Sequence, residues 1–435
     1  MCDRGATESR WLIVFLFLTA SLTSTIMLKV AQIQYLELIY FIELMVLAIA
    51  FSKNGYRIRW FRPFLNIGVN YLIFAAVAFI LALCALRYDF YFPGPITALK
   101  YPVIITISRI LELFGSVAIM LYIAEKFRKD KKKIAFTMRV YFWMGWISAI
   151  FSILSYPLNR AKVIDLGTYG IDHRMRGFYN EGGPYGLYLF SVFLVGFALY
   201  KSSLIKKRTF VAASAILSIA FLGSKSKAAF CAVLLLLLIN GLVARSVVKR
   251  MVIIIAMCTF VFAVYQVVDF GALLRNYQRL SQAYEWLSHR HSKDTNFVAG
   301  RVAGAFLVPR MVEAHPIAGV GWGNYGLVRD APEYRGAAAF APDNDDPGLG
   351  VAGMSAELGL PLVFYLVICL LLPFLFLRRI KAPLYITNLA LLQPLVHLFG
   401  GQLNLTYPWI VTSFALGLGY SIREKPTEVL DTRLP

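Results

Sequence analysis

Charge is scarce in these 435 residues. Only 16% are Asp, Glu, Lys or Arg, against 59% apolar residues, and the mean hydropathy is +0.64. A water-soluble chain of this length needs far more charged surface and breaks its apolar residues into short periodic runs. The composition therefore excludes a soluble enzyme and a nucleic-acid-binding domain. Ten-residue alternation is also missing, which excludes a membrane β-barrel. Cysteine is rare. Cys2 stands near the start, and Cys84, Cys231, Cys258 and Cys369 lie inside apolar runs. None neighbours another at metal-ligand spacing, so neither a disulfide framework nor a zinc site is indicated. No repeat of 20–50 residues is visible, and no inverted repeat. No small-residue cleavage pattern follows the first apolar run, so Trp11 to Leu28 reads as a retained helix, not a cleaved signal.

What is abundant is long apolar runs. About 20 apolar residues at about 1.5 Å rise each cross a hydrocarbon core about 30 Å thick. Twelve candidate spans follow, at 11–30, 34–52, 64–86, 102–124, 134–157, 183–200, 209–223, 228–244, 251–269, 351–376, 384–400 and 408–422. The expected fold is an all-α integral membrane protein of about twelve transmembrane helices. Basic residues set the orientation. The connections 1–10, 53–63, 125–133, 201–208, 245–250, 377–383 and 423–435 fall on one side and hold 25 of the 44 Lys and Arg residues. They are short and cationic, so the expectation places them, with both termini, in the cytoplasm. In a membrane protein the net charge of +20 first means topology and anionic lipid, not nucleic acid.

The opposite side carries two long connections, 158–182 and 270–350. The second spans 81 residues with eight Lys/Arg and eight Asp/Glu, too long for a passive linker. It reads as a large, partly helical cap. An apolar stripe over 273–288 fits a helix lying on the membrane or on the bundle, and residues 296–308 fit another, which Pro309 is expected to kink or end. The chain divides accordingly into a bundle at 1–269, the cap at 270–350, and three further helices with a tail at 351–435.

Chemistry-bearing residues gather on that same side. In Asp172–Glu181, Arg174 and Arg176 stand beside Gly177 and Asn180 at the mouth of a span. Guanidinium groups there can hold phosphate through paired hydrogen bonds and keep their charge at any relevant pH. A lipid-headgroup anchor is the plainer account. Ser224-Lys225-Ser226-Lys227 places two cations on a four-residue turn, against the positive-inside preference, although snorkelling lysines can do the same. In the cap, Arg301 and Arg310 are nine residues apart, about 180° on one helix, and share a face only if Pro309 breaks it. His315-Pro316 then leads into Gly319-Val320-Gly321-Trp322-Gly323-Asn324, glycines that permit close backbone approach but follow no strand, so no nucleotide fingerprint is present. Asp343-Asn344-Asp345-Asp346 can bind a sugar, act as a general base or coordinate a divalent ion; a solvated acidic turn is the ordinary alternative. Glu357 is an ionisable group inside a span, where a partner or cavity is expected. Arg109 and Glu112 are spaced to pair on one helix face. His397 beside Pro394 lines a cavity or is a satisfied core histidine.

In this order, the motifs resemble the O-antigen ligase and polymerase superfamily, integral-membrane glycosyltransferases of the GT-C type. The residues that carry the likeness are Arg176-Gly177-Phe178 with Asn180, the Ser224-x-Ser226-Lys227 turn, Arg301 opening the cap helix, the His315–Asn324 string, and Glu357-Leu358-Gly359-Leu360-Pro361; together they cover roughly 170–375. The resemblance implies a donor glycan linked through diphosphate to undecaprenol, in a bacterial inner membrane, with the active site on the periplasmic face. It assigns the diphosphate to Arg176 and Arg301, with Arg310, Arg174 and Lys227 secondary, and the sugars or acceptor to Asn180, His315, Asn324 and Glu357. Neither metal nor cofactor is implied, since fixed guanidinium groups can stabilise a departing diphosphate. Two departures stand out. Lys227 replaces the arginine common in the turn, and the histidine that ligases carry about nine residues before the glutamate is missing, with Asp345 and Asp346 the nearest ionisable groups. This favours a Wzy-type polymerase that joins lipid-linked repeat units to one another, with either aspartate as base and a chain-length regulator protein as a further partner. A ligase acting on lipid A–core stays open, as does, from another class, a lipid-linked oligosaccharide flippase or transporter.

Overall fold

A computed structural model describes residues 61–85, 101–129, 131–163, 167–169, 173–179, 182–243, 246–267, 300–335, 349–400, 403 and 405–424. The expected spans at 11–30 and 34–52 and the stripe at 273–288 lie outside them. Every other expected span is a helix. In chain order these are α1 (Arg62–Ala85), α2 (Pro102–Lys129), α3 (Lys131–Arg160), α4 (Gly182–Lys201), α5 (Lys207–Gly223), α6 (Lys227–Val243) and α7 (Val247–Val267). The cap contributes α8 (Gly300–Ala314) and the single turns α9 (Tyr325–Val328) and α10 (Pro332–Arg335). Then follow α11 (Val351–Arg379), α12 (Leu384–Gly400) and α13 (Thr406–Glu424).

Five of these, α1 to α4 and α11, are long and apolar enough to cross a membrane, and α6, α12 and part of α7 are shorter apolar helices. The burial pattern shows why their sequences look uniformly hydrophobic. On α1 the buried positions Phe64, Ile67, Tyr71, Phe74, Ala78 and Ala82 recur at helical spacing, while Leu72 and Ile80 on the other side are half-exposed and equally apolar. Both faces have apolar neighbours, protein on one side and lipid hydrocarbon on the other, so polarity does not mark the packed face. Helix α13 occupies the centre, packed on α2, α12, α3, α4 and α11, and nearly all of its side chains are buried. Pro394 lies within α12 without ending it.

The connections sort to two ends. At one end Arg139 Nε donates to Leu204 O (3.1 Å), Ser202 Oγ donates to the Tyr385 hydroxyl (3.4 Å), and Arg128 pairs with Glu125 (2.8 Å) under the rings of Phe61 and Tyr420. The other end gathers the connections after α3 and α5, the cap, and the turn between α12 and α13.

At this second end the 158–182 connection holds a short two-stranded antiparallel ribbon, β1 (Gly167–Tyr169) with β2 (Arg174–Gly177), in an otherwise helical set of described residues. Of the two outcomes expected at Pro309, a kink or an end, the end does not occur, since α8 runs through it to Ala314. A continuous α8 leaves positions 301 and 310 on opposite faces.

Candidate functional site

Two groups of chemistry-bearing residues form at this end. The first joins β2, the α5–α6 turn and the start of α4. Ser226 caps α6, its Oγ accepting from Ala229 N–H (3.2 Å) and donating to Gly183 O (2.9 Å), which ties the first turn of α6 to that of α4. A Cβ at Gly182 or Gly186 would collide with the Ser224 carbonyl or the Ser226 side chain, so glycine at both positions lets the turn sit against α4. Arg174 reaches across from β2, with Nε donating to Ser224 O (3.1 Å) and Nη2 to Lys225 O (3.3 Å). Lys225 holds a left-handed backbone, φ 48°.

Electrostatically this arrangement is inverted. Helix amino ends carry unpaired N–H groups and partial positive charge, and they normally attract acidic side chains. Neither α4 nor α6 has an acidic residue in its first turn. Arg174 and Arg176 flank one, Lys225 and Lys227 the other, and Lys227 is exposed. Arg176 is partly buried on β2, one residue before Gly177, whose φ of 52° and close contact with Tyr185 and Ser148 exclude a side chain. Such a concentration of positive potential suits an anion.

Beneath the ribbon lies a feature the sequence reading missed. Tyr179, Tyr185, Tyr188 and Tyr407 are fully buried and pack ring to ring, with centroids 5.3–6.5 Å apart. Tyr185 shares a hydrogen bond with Ser152 (3.0 Å) and donates to Ser148 O (3.1 Å). Burial, reinforced by the neighbouring tyrosines, pushes the Tyr179 phenol well above its ordinary pKa, so that ring stays neutral. The three-residue spacing of Tyr185 and Tyr188 was the available signal.

The second group joins the cap to α11. Glu357 accepts from Gly323 N–H at Oε2 (3.0 Å) and from Tyr325 N–H at Oε1 (3.3 Å), which caps α9. Backbone bonds continue the seam: Val320 N–H to Ala356 O (2.9 Å), Gly321 N–H to Glu357 O (2.9 Å) and Leu360 N–H to Pro316 O (2.8 Å). α11 kinks at Gly359, φ 72° and ψ 162°, where the Ile317 carbonyl occupies the space a side chain would need. Thr106 Oγ1 donates to Trp322 O (2.8 Å), and Arg109, paired with Glu112 at 3.1 Å, lies against Gly323. Asn324 is buried, its Nδ2 donating to Val320 O (3.2 Å).

Arg310 and His315 belong to the cap's own packing. Arg310 stacks 3.9 Å over Phe306 and donates to Tyr334 O (2.9 Å), while His315 Nε2 hydrogen-bonds the Tyr334 hydroxyl (2.6 Å). Both pin α10 onto a small core of Leu307, Met311, Val328 and Tyr334. Partial burial lowers the His315 pKa against the opposing pull of Glu333. Arg329 and Asp330 also went unnoticed in sequence. They form a buried pair, Nε to Oδ2 3.5 Å, at the carboxyl end of α9. His397 is buried against Trp409 in the bundle. Asn180, Asp345 and Asp346 lie outside the described residues, as does the side chain of Arg301, whose backbone forms the first turn of α8.

No protein-family model matches the sequence, and no curated protein matches it.

Proposed function

We propose that the chain is a membrane glycosyltransferase that binds a polyprenyl-diphosphate-linked glycan at the junction of β2, the Ser224–Lys227 turn and the amino ends of α4 and α6. One observation carries this reading. Four cations gather beside two helix amino ends whose described first turns hold no acidic residue, so cationic side chains and the positive helix ends point the same way, an arrangement favourable for a multiply charged anion. The same end bears the cap, which provides an extramembrane cover for a glycan. The end rich in short basic connections is then cytoplasmic and the site periplasmic, in a bundle of twelve spans including the two expected before residue 61.

Within this reading the reaction is polymerisation. The carbon that bears the diphosphate is attacked by a hydroxyl at the non-reducing end of a second lipid-linked repeat unit. The new glycosidic bond forms as the bond to diphosphate breaks, with inversion at the attacked carbon. The acceptor proton passes to a base, the role assigned to Asp345 or Asp346. The departing undecaprenyl diphosphate is stabilised by Arg176, by the helix amino ends and by Arg301. The protein, purified into lipid and supplied with an undecaprenyl-diphosphate-linked repeat unit from its own source cells as both donor and acceptor, should give a ladder on a gel. Transfer only when lipid A–core is added would make it a ligase. Silence with both acceptors, together with passage of the lipid-linked repeat across the bilayer, would make it a transporter.

A further inference from the structure

Three helix ends meet at the cationic junction, and one has the wrong sign. The amino ends of α4 and α6 attract an anion. The carboxyl end of α5 presents carbonyl oxygens and partial negative charge, and it is joined to α6 by only Ser224, Lys225 and Ser226. The Ser224 carbonyl lies against Gly182 in the first turn of α4. Left bare, the Ser224 and Lys225 carbonyls would oppose any phosphate drawn to the two amino ends. Arg174 closes on just these two oxygens, Nε to Ser224 O at 3.1 Å and Nη2 to Lys225 O at 3.3 Å. It is anchored on β2, which packs on α3, α4 and α5. Its forked donors span consecutive carbonyls, which a lysine's single ammonium cannot reproduce. They hold Lys225 in a left-handed conformation that a non-glycine residue adopts only at a cost.

Resting on the diphosphate reading above, we infer that Arg174 is a positioning residue, not a phosphate ligand: it neutralises the carboxyl end of α5, so that the junction as a whole attracts anions, and fixes the turn that presents Lys225 and Lys227. Arg176, two residues along the same strand, keeps the part of direct ligand. The two arginines therefore leave different signatures. A residue that sets the local field acts on any phosphate at the junction, whereas a direct ligand of the second phosphate favours the diphosphate over the monophosphate.

The test measures binding of undecaprenyl phosphate and undecaprenyl diphosphate to the full-length protein in nanodiscs, for wild type, R174Q, R174K and R176A. Because Arg174 acts through a helix end and two charge-assisted hydrogen bonds, R174Q should weaken both lipids by the same factor, about tenfold. R174K, which keeps the charge and loses the fork, should recover part of that loss for both lipids. R176A should weaken the diphosphate more than the monophosphate. If R174Q does not fold, as judged by its thermal midpoint, R174K carries the test, with an equal reduced loss for both lipids. A selective loss of diphosphate binding in R174Q or R174K would make Arg174 a direct ligand and overturn the proposal, as would unchanged binding of both. Failure of wild type to bind either lipid, or an R176A variant that binds both normally, would strike at the diphosphate reading itself.

Discussion

The two groups of polar residues at the cap end of the bundle use the same side-chain types to opposite ends. Against α11, charge is consumed internally: Glu357 satisfies two backbone N–H groups, Arg310 covers Phe306 and holds the Tyr334 carbonyl, and Arg329 pairs with Asp330. Around β2 and the Ser224–Lys227 turn, Arg174 holds two backbone carbonyls, while Arg176, Lys225 and Lys227 gather beside helix amino ends that are already positive and whose described first turns hold no acid. Cations that share a positive helix end, and do not face an acid across a seam, are the stronger sign of an anionic ligand.

Substitutions can break this contrast. The largest effect is expected from Arg176→Ala, which should cut polymer formation by about a hundredfold or more, the usual scale for removing an electrostatic stabiliser of a leaving group. The thermal midpoint should stay near wild type. Polymer of normal amount and length on a gel would refute the role given to the ribbon. Arg301→Ala should likewise abolish polymer while leaving the protein in the membrane fraction, and wild-type chain lengths there would detach α8 from the site.

On the α11 side the expected effects are on stability. Glu357→Ala strands the buried Tyr325 N–H, at about 1–3 kcal/mol, and the half-buried Gly323 N–H at less, and should expose the 316–335 segment to hydrogen exchange. Glu357→Gln, which keeps one carbonyl acceptor, should do so less. Equal protection in wild type and Glu357→Ala would show that the carboxylate does not hold the cap. Gly359→Ala should cost about 1–3 kcal/mol for its backbone conformation alone, and more for the overlap with Ile317 O, visible as a lower unfolding temperature.

The smallest effect concerns pH. Burial lowers the His315 pKa, so the unfolded cap takes up a proton first as the pH falls. Stability contributed by the neutral ring is complete above the ordinary imidazole range, near pH 6.5, and is lost as the pH drops through it towards the lower folded value. Exchange protection in α8–α10 should therefore weaken slightly between pH 7.5 and 5, and His315→Gln should flatten that slope. An unchanged slope would mean the ring contributes nothing through its titration.

Helix positions were legible because lipid and protein interior both demand apolar side chains, so continuous runs mark α1 to α7 and α11 to α13 within a few residues. The same uniformity hid which faces pack, and the centrality of α13 could not be read from a sequence pattern with no polar side. That the Arg174–Gly177 and Ser224–Lys227 segments lie at one end of the bundle was legible, and their docking depends on glycines at 182 and 186. The parts played by Arg310, His315 and Glu357 were not. Each was singled out for its chemistry, and each is occupied by a partner distant in sequence or on another element: Tyr334 for the first two, the Gly323–Tyr325 backbone for the third.

Whether the ribbon junction is the anion site and the α11 seam is architecture is decided by one comparison. Undecaprenyl diphosphate binding would be titrated against wild type, R176A and R310Q in nanodiscs, with thermal midpoints measured on the same samples. R176A should lose at least tenfold in affinity with its midpoint unchanged, and R310Q should bind normally with a lowered midpoint. Normal binding by R176A together with lost binding by R310Q would contradict this and move the site to the cap.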